Sequence, residues 1–332
     1  MEQNNTAKKK LLTKLDLKNP TTLGIIAVII ASIGLLISII TFLLSGGISE
    51  INNINGLQFY PDGNGNYIVA AGDAKYLDEI VIPKRYRGGK VIGIADEGFS
   101  SCDNLTSIVI PDTVITIGEY AFQNCDVLTN VKFGSGLVDI GIHAFSNCSS
   151  LKTADLQSNL ISIGEYAFYN CVSMTNINIP NSVKSVGDNA FTNCDALSMY
   201  EYANAYYLGS RENPCHTLLK VKSTDITEIK IHSSAKIIYF KAFEYCTSLK
   251  SVDIPEGATE IGVEAFYGCT SLESIIIPST LVTVHDGAFY ECEALTEVNY
   301  TGNESQLYLI NVNYNNDPFM DATFYFNYYR TN

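Results

Sequence analysis

Eight times between Phe99 and Cys292 the chain places a phenylalanine, two residues and a cysteine, and all but one of the steps between successive phenylalanines are 23 residues. A period of that length marks a solenoid, because one unit cannot close its own core and must bury its apolar edge against its neighbours. Phe99, Phe122, Phe145, Phe168 and Phe191 keep the step; 52 residues then separate Phe191 from Phe243, and Phe266 and Phe289 resume it. One coil therefore carries an insertion of 29 residues.

Ala167-Phe168, Cys171, Met174, Ile177, Ile179-Pro180, Val183 and Val186-Gly187 show the unit almost complete. Triplets such as Ile108-Val109-Ile110 alternate inward and outward, which predicts a short strand. Proline at 83, 111, 180, 255 and 278 ends it, since proline has no amide donor and fixes φ. A second extended piece follows, residues 114–117 or 183–186, and glycine closes it at 118, 141, 164, 187 and 262. Glycine there predicts positive φ or a close approach of the neighbouring coil. Asn124, Asn147, Asn170, Asn193 and Gly268 precede their cysteines. These residue types tolerate the left-handed region, so a tight turn with positive φ is expected, and stacked asparagines could bond along the array. The phenylalanine fills the centre of each coil.

Eight of the nine cysteines share one slot of the repeat. They should stack as a buried column in which a free thiol behaves as a small hydrophobe. Lateral disulfides between coils are the alternative, although strands about 4.8 Å apart do not by themselves give bridge geometry. No Cys-x-x-Cys or Cys/His cluster supplies the ligands of a zinc site. Cys215 alone breaks the register and adjoins His216, but sequence neighbours seldom present side chains to each other, and a nucleophile needs an oriented base. Glu119 and Asp139 could line a glycan-cleaving groove, yet they fall in ordinary exposed slots. No phosphate-binding glycine loop with its lysine is present, and neither cofactor nor metal is expected.

Residues 23–44 are 22 apolar or small residues without a charge. At about 1.5 Å per residue they span roughly 33 Å, enough for a bilayer core of about 30 Å. Lys8, Lys9, Lys10, Lys14 and Lys18 precede them, which keeps that flank in the cytoplasm. A cleaved signal peptide is the other reading, but the run is long for one and no Ala-x-Ala-like site follows. The expected order is a basic cytoplasmic tail at 1–22, a transmembrane helix at 23–44, a linker at 45–55, an N-terminal cap and first coil at 56–98, the array at 99–299 with its insertion near 200–225, and a C-terminal cap at 300–332. The whole chain has a net charge of −14, and beyond the tail 16 basic residues face 33 acidic ones. Such a surface argues against nucleic acid or anionic lipid as a partner.

The eight Phe-x-x-Cys units, the Ile-Pro strand ends and the Ile-Gly before each Ala-Phe, as in Ile117-Gly118-Glu119-Tyr120-Ala121-Phe122, resemble the leucine-rich repeats of the BspA type. Tyr86-Arg87-Gly88-Gly89-Lys90-Val91 is similar to the first-repeat loop of that family, and Val298-Asn299-Tyr300-Thr301-Gly302 to its closing segment. The likeness covers residues 56–329, with Leu307 standing where a tryptophan would be expected. The resemblance implies a β-rich, curved, single-array leucine-rich-repeat solenoid with little helix, which binds proteins or attaches cells to a host matrix without catalysis.

Outward residues of the main strands should form a recognition ladder of Val109, Lys132, Asp155, Asn178, Glu201, Lys230, Asp253, Ile276 and Asn299. Solenoids use such stacked sheets as extended binding faces. Beside it, residues 199–208 include Tyr202, Tyr206 and Tyr207, and exposed tyrosines give large contact area at low entropic cost. The competing reading is that these rings only cover a wider coil. The expected function is a plasma-membrane, single-pass, outward-facing module that binds a protein or glycan. Its rival is a structural scaffold whose array faces the cytoplasm.

Overall fold

A computed structural model describes residues 56–329. The tail at 1–22, the apolar run at 23–44 and the linker at 45–55 lie outside the described residues. Among the described residues no helix is long and apolar enough to cross a membrane.

Each coil contributes two strands to two parallel ladders. In the main ladder Ser107–Val109 pairs with Asn130–Lys132, and Thr153–Asp155 with Asn176–Asn178. In the second, Thr116–Ile117, Asp139–Ile140, Ser162–Ile163 and Ser185–Val186 follow in order. Every pairing joins residues one period apart, so equivalent side chains stack. The phenylalanines form the column this predicts: Phe122 and Phe145 lie 4.9 Å apart between centroids and tilted by 7°, and Phe266 and Phe289 5.2 Å apart at 2°.

The residue before each cysteine is left-handed in every coil, including Ser101, Tyr245 and Glu291, which are not asparagine or glycine. Asn147 donates to Asn124 at 2.8 Å and Asn170 to Asn147 at 3.1 Å, so the asparagine ladder forms where the side chains allow. The glycines that close the second strand keep negative φ. A Cβ on Gly141 would sit 2.7 Å from the Gly118 backbone carbon, and one on Gly187 2.4 Å from the Glu165 nitrogen. Close approach to the preceding coil decides these positions. Positive φ falls two residues later, at Tyr120, His143, Tyr166, Asn189 and Glu264.

The two ends differ in structure from the coils between them. Gln58–Pro61 and Tyr67–Ala70 form an antiparallel hairpin, its turn fixed by Asp62, whose carboxylate accepts the Asn64 and Asn66 amides. At the far end a single-turn helix, Glu304–Leu307, precedes the strand Asn311–Val312, and a second, Asp317–Met320, links it to the strand Thr323–Tyr325. Phe319 on the second of these continues the aromatic column, 4.9 Å from Phe289.

The expected single array is in fact two stacks with separate cores. The insertion folds as Tyr200–Tyr202, Ala205–Leu208 and Thr217–Val221, an antiparallel sheet that continues in parallel into Ile237–Ile238. Its two faces serve different stacks. Leu208, Leu219, Ile237 and Tyr239 belong to the first core, which holds Phe191 and Leu197. Ala205, Tyr207, Leu218 and Ile238 belong to the second. Alternation along a strand sends neighbours to opposite faces, so Tyr207-Leu208, Leu218-Leu219 and Ile237-Ile238 each put one residue into either core. Each fully buried aliphatic side chain is worth about 1.5–3 kcal/mol, and the sheet closes two open stack ends at once.

Candidate functional site

On the main ladder the middle residue of each strand points inward and its flanking residues outward. Val131 is buried between exposed Asn130 and Lys132, and Val252 between exposed Ser251 and Asp253. Of the predicted ladder, Val109 sits opposite Lys132 and Asp155 opposite Asn178, whose side chain donates to the Asp155 carboxylate at 2.8 Å. In the second stack Asp253, Ile276, Asn299 and Tyr325 follow one another. Tyr325 extends the ladder beyond the predicted set.

The ladder departs from expectation at the insertion. Glu201 pairs with Tyr206 across the hairpin rather than continuing from Asn178. Lys230 is exposed but lies outside any strand. The main sheet is therefore interrupted between Asn176–Asn178 and Ser251–Asp253.

The hairpin makes a second patch. The Glu201 carboxylate receives Lys222 Nζ at 2.6 Å, and that ammonium lies 5.5 Å from the Tyr206 ring centroid. The Glu201 hydrogen bond raises the Lys222 pKa above its ordinary value. Tyr202 meets His232 edge-on at 4.7 Å. Tyr200 is 47% exposed, and Tyr206 is half-buried. Tyr207 corrects the expectation of a uniformly exposed tyrosine run. It is wholly buried in the second core, where its hydroxyl accepts the His232 amide at 3.2 Å, and burial pushes its pKa up to about 12.

Two features escaped the sequence. Lys222 is 21 positions from Glu201, and only the hairpin brings them together. A second outward column, Asn130, Thr153, Asn176, Ser251, Ser274 and Glu297, flanks the first. Its period-two spacing was available, because residues two apart share a strand face.

Cys215 and His216 do not form a nucleophile and base. Both are fully buried; burial pushes the Cys215 thiol up to about 11 and the His216 imidazole down to about 4. His216 Nδ1 is bonded to the Thr217 hydroxyl at 3.0 Å. Glu119 and Asp139 do share a wall of one open groove of about 500 Å³, with Tyr60 and Thr116.

The description of a BspA-type leucine-rich repeat region matches residues 77–210 and 221–314 in six copies. Among solved structures, the chain is similar to a leucine-rich repeat protein from Bacteroides ovatus, with 27% identity, 82% of this chain and 78% of that one covered, and a TM-score of 0.42. It is also similar to a leucine-rich cell surface protein from Faecalibacterium prausnitzii, at 25% identity over 77% and 96% of the two chains and a TM-score of 0.34. The T. pallidum leucine-rich repeat protein matches at 23% identity over 75% and 91%, with a TM-score of 0.46. No curated protein matches the chain.

Proposed function

Because the chain belongs to the BspA-type leucine-rich repeat family, we propose that it is a non-catalytic binding or adhesion module of the cell surface, anchored by residues 23–44, that recognises a protein or glycan partner. The observation that carries this reading is the main-strand face, where Lys132, Asp155 and Asp253 are exposed on a stacked, rigid backbone. Residues fixed at regular strand spacing lose little entropy on binding, so mixed charges and amides at those positions suit recognition of an extended surface. The hairpin patch of Glu201, Tyr202, Tyr206 and Lys222 adds aromatic contact area, and Lys230 lies beyond the interruption of the ladder.

The anchor rests on the uninterrupted apolar run and the lysines before it. A scaffold facing the cytoplasm is the second reading, favoured by nine free cysteines. Protease shaving of intact cells carrying a C-terminal tag separates the two. Loss of the tag from intact cells supports the outward module; protection until lysis supports the scaffold. Binding is then tested with Lys132→Ala/Asp155→Ala and Asp253→Ala, which should weaken capture of a partner without moving the melting temperature.

A further inference from the structure

The two stacks meet along a seam with an apolar centre and a titratable rim. Thr217, Ile237 and Glu260, on the outer face of the second stack, are at most 5% exposed. Their counterparts in the first stack, Thr116, Asp139 and Ser162, are open or half-open. The last coil of the first stack supplies the cover. Tyr239 donates its hydroxyl to the Gly187 carbonyl at 3.2 Å, and Ser185 donates to the Glu260 carboxylate at 3.4 Å. The same Glu260 oxygen receives His285 Nε2 at 3.0 Å. Asp188 and Glu165 face this pair from the first stack, and Glu264 and Asp286 from the second. Lys241 is engaged with Glu244 and Glu264.

We propose that this rim is a proton-operated latch between the two stacks, held shut by protons on Asp188 and His285 and loosened when both are lost. The chemistry follows from the crowding. Four carboxylates, those of Glu165, Asp188, Glu260 and Glu264, converge on a partly desolvated edge, where like charges repel more strongly than in water. Burial first, then Glu165, Glu260 and Glu264, push Asp188 up to about 6, with His285 pulling it back. The hydrogen bond to Glu260 is the main cause that raises His285, and its charge, with those of Asp188 and Asp286, adds to it. Both folded values lie above their unfolded ones. The His285 contribution is complete below its unfolded value of about 6.5 and is lost as pH rises through the folded value, whereas that of Asp188 is complete only below its unfolded value of about 3.8 and is gone above about 6. His216, on the same seam, acts oppositely, because burial keeps it neutral down to about 4 while an opened seam would let it charge.

The test is amide hydrogen exchange on the full chain, comparing the parent with Asp188→Asn at about pH 3.5, below the unfolded Asp188 value, and at about pH 8, so that the His216 contribution cancels in the difference. At the higher pH the variant should protect Ser185, Val186, Ile237 and Ile238 roughly tenfold more than the parent, a figure reduced for partial solvent exposure. At the lower pH the two should agree, and Ile117 and Ile140, further along the first stack, should not respond. His285→Gln should lose protection of the same amides at about pH 5.5 and not at about pH 8. Equal seam protection in parent and Asp188→Asn at the higher pH, or a gain of the same size at both, overturns the latch.

Discussion

The Cys148 thiol donates to the Phe122 carbonyl oxygen at 3.1 Å, one coil back. The same bond recurs from Cys125 to Phe99, Cys171 to Phe145, Cys194 to Phe168, Cys269 to Phe243 and Cys292 to Phe266, at 3.1 to 3.2 Å. The Phe122 carbonyl also accepts the Cys125 amide at 3.3 Å, so the thiol gives it a second, weak donor from an otherwise apolar side chain. Six of the eight repeat cysteines make this bond, and all of them are buried free thiols.

Cys148→Ala should lower stability by about 0.5–1.5 kcal/mol through the lost thiol hydrogen bond, measured by urea unfolding. The native chain should resist an aqueous thiol reagent, and all nine cysteines should react on unfolding, since all are buried and free. Hydrogen bonding to the next thiol and burial raise the pKa of Cys102 and of Cys246, which open the two runs, so a rise in buffer pH to about 8.5 should form no thiolate at those two positions.

Phe168 is wholly buried between Phe145 and Phe191. Phe168→Ala should cost about 3–5 kcal/mol. Phe319→Ala, at the end of the column, should cost less, because the cap has neighbours on one side only; calorimetric melting orders the two.

Gly141→Ala tests close approach against backbone freedom. Its φ is not positive, so alanine itself is permitted, but the added methyl would lie 2.7 Å from the Gly118 carbon and 2.8 Å from the Glu119 nitrogen. The loss should be about 1–3 kcal/mol. Gly63→Ala, where nothing lies within 4 Å but φ is +84°, should instead lose about 1 kcal/mol from backbone strain alone.

The tyrosine run divides into a binding residue and a core residue. Tyr207→Ala should lower the melting temperature markedly, a loss of about 3–5 kcal/mol. Tyr206→Ala should leave the melting temperature within a degree or two and weaken partner capture. Equal loss of stability in both would remove Tyr206 from the recognition surface.

His216 gives a stability slope of known sign. Burial depresses its folded value to about 4, against the Val183 carbonyl, which pulls it upward. Its contribution is complete above the unfolded value of about 6.5 and lost as pH falls towards 4, up to about 3 kcal/mol in all. His216→Gln should flatten that part of the pH dependence of urea unfolding.

The repeat was legible because its signals are local: Phe168, Cys171 and Pro180 announce the coil within thirteen positions. Positive φ before the cysteines was legible too, since asparagine and glycine share one backbone preference. The two-sided sheet was not. Leu218-Leu219 and Ile237-Ile238 are adjacent apolar pairs, the pattern of a strand buried on both faces, but their partners lie in coils far along the chain. Tyr207 reads like Tyr206 in sequence, and only the direction of the hairpin decides which one enters the core. Asp188 and Glu260 occupy different slots of the repeat, so periodicity alone would have set them apart.

Because the strands Ala205–Leu208 and Thr217–Val221 finish one core and begin another, the lengths of the two stacks are independent variables. A duplication or loss of 23 residues on either side changes the reach of that arm and leaves the other arm's ends intact. The insertion is thus a point of inheritance as well as of packing: descendants of this gene can lengthen one side of the protein without having to reinvent the joint.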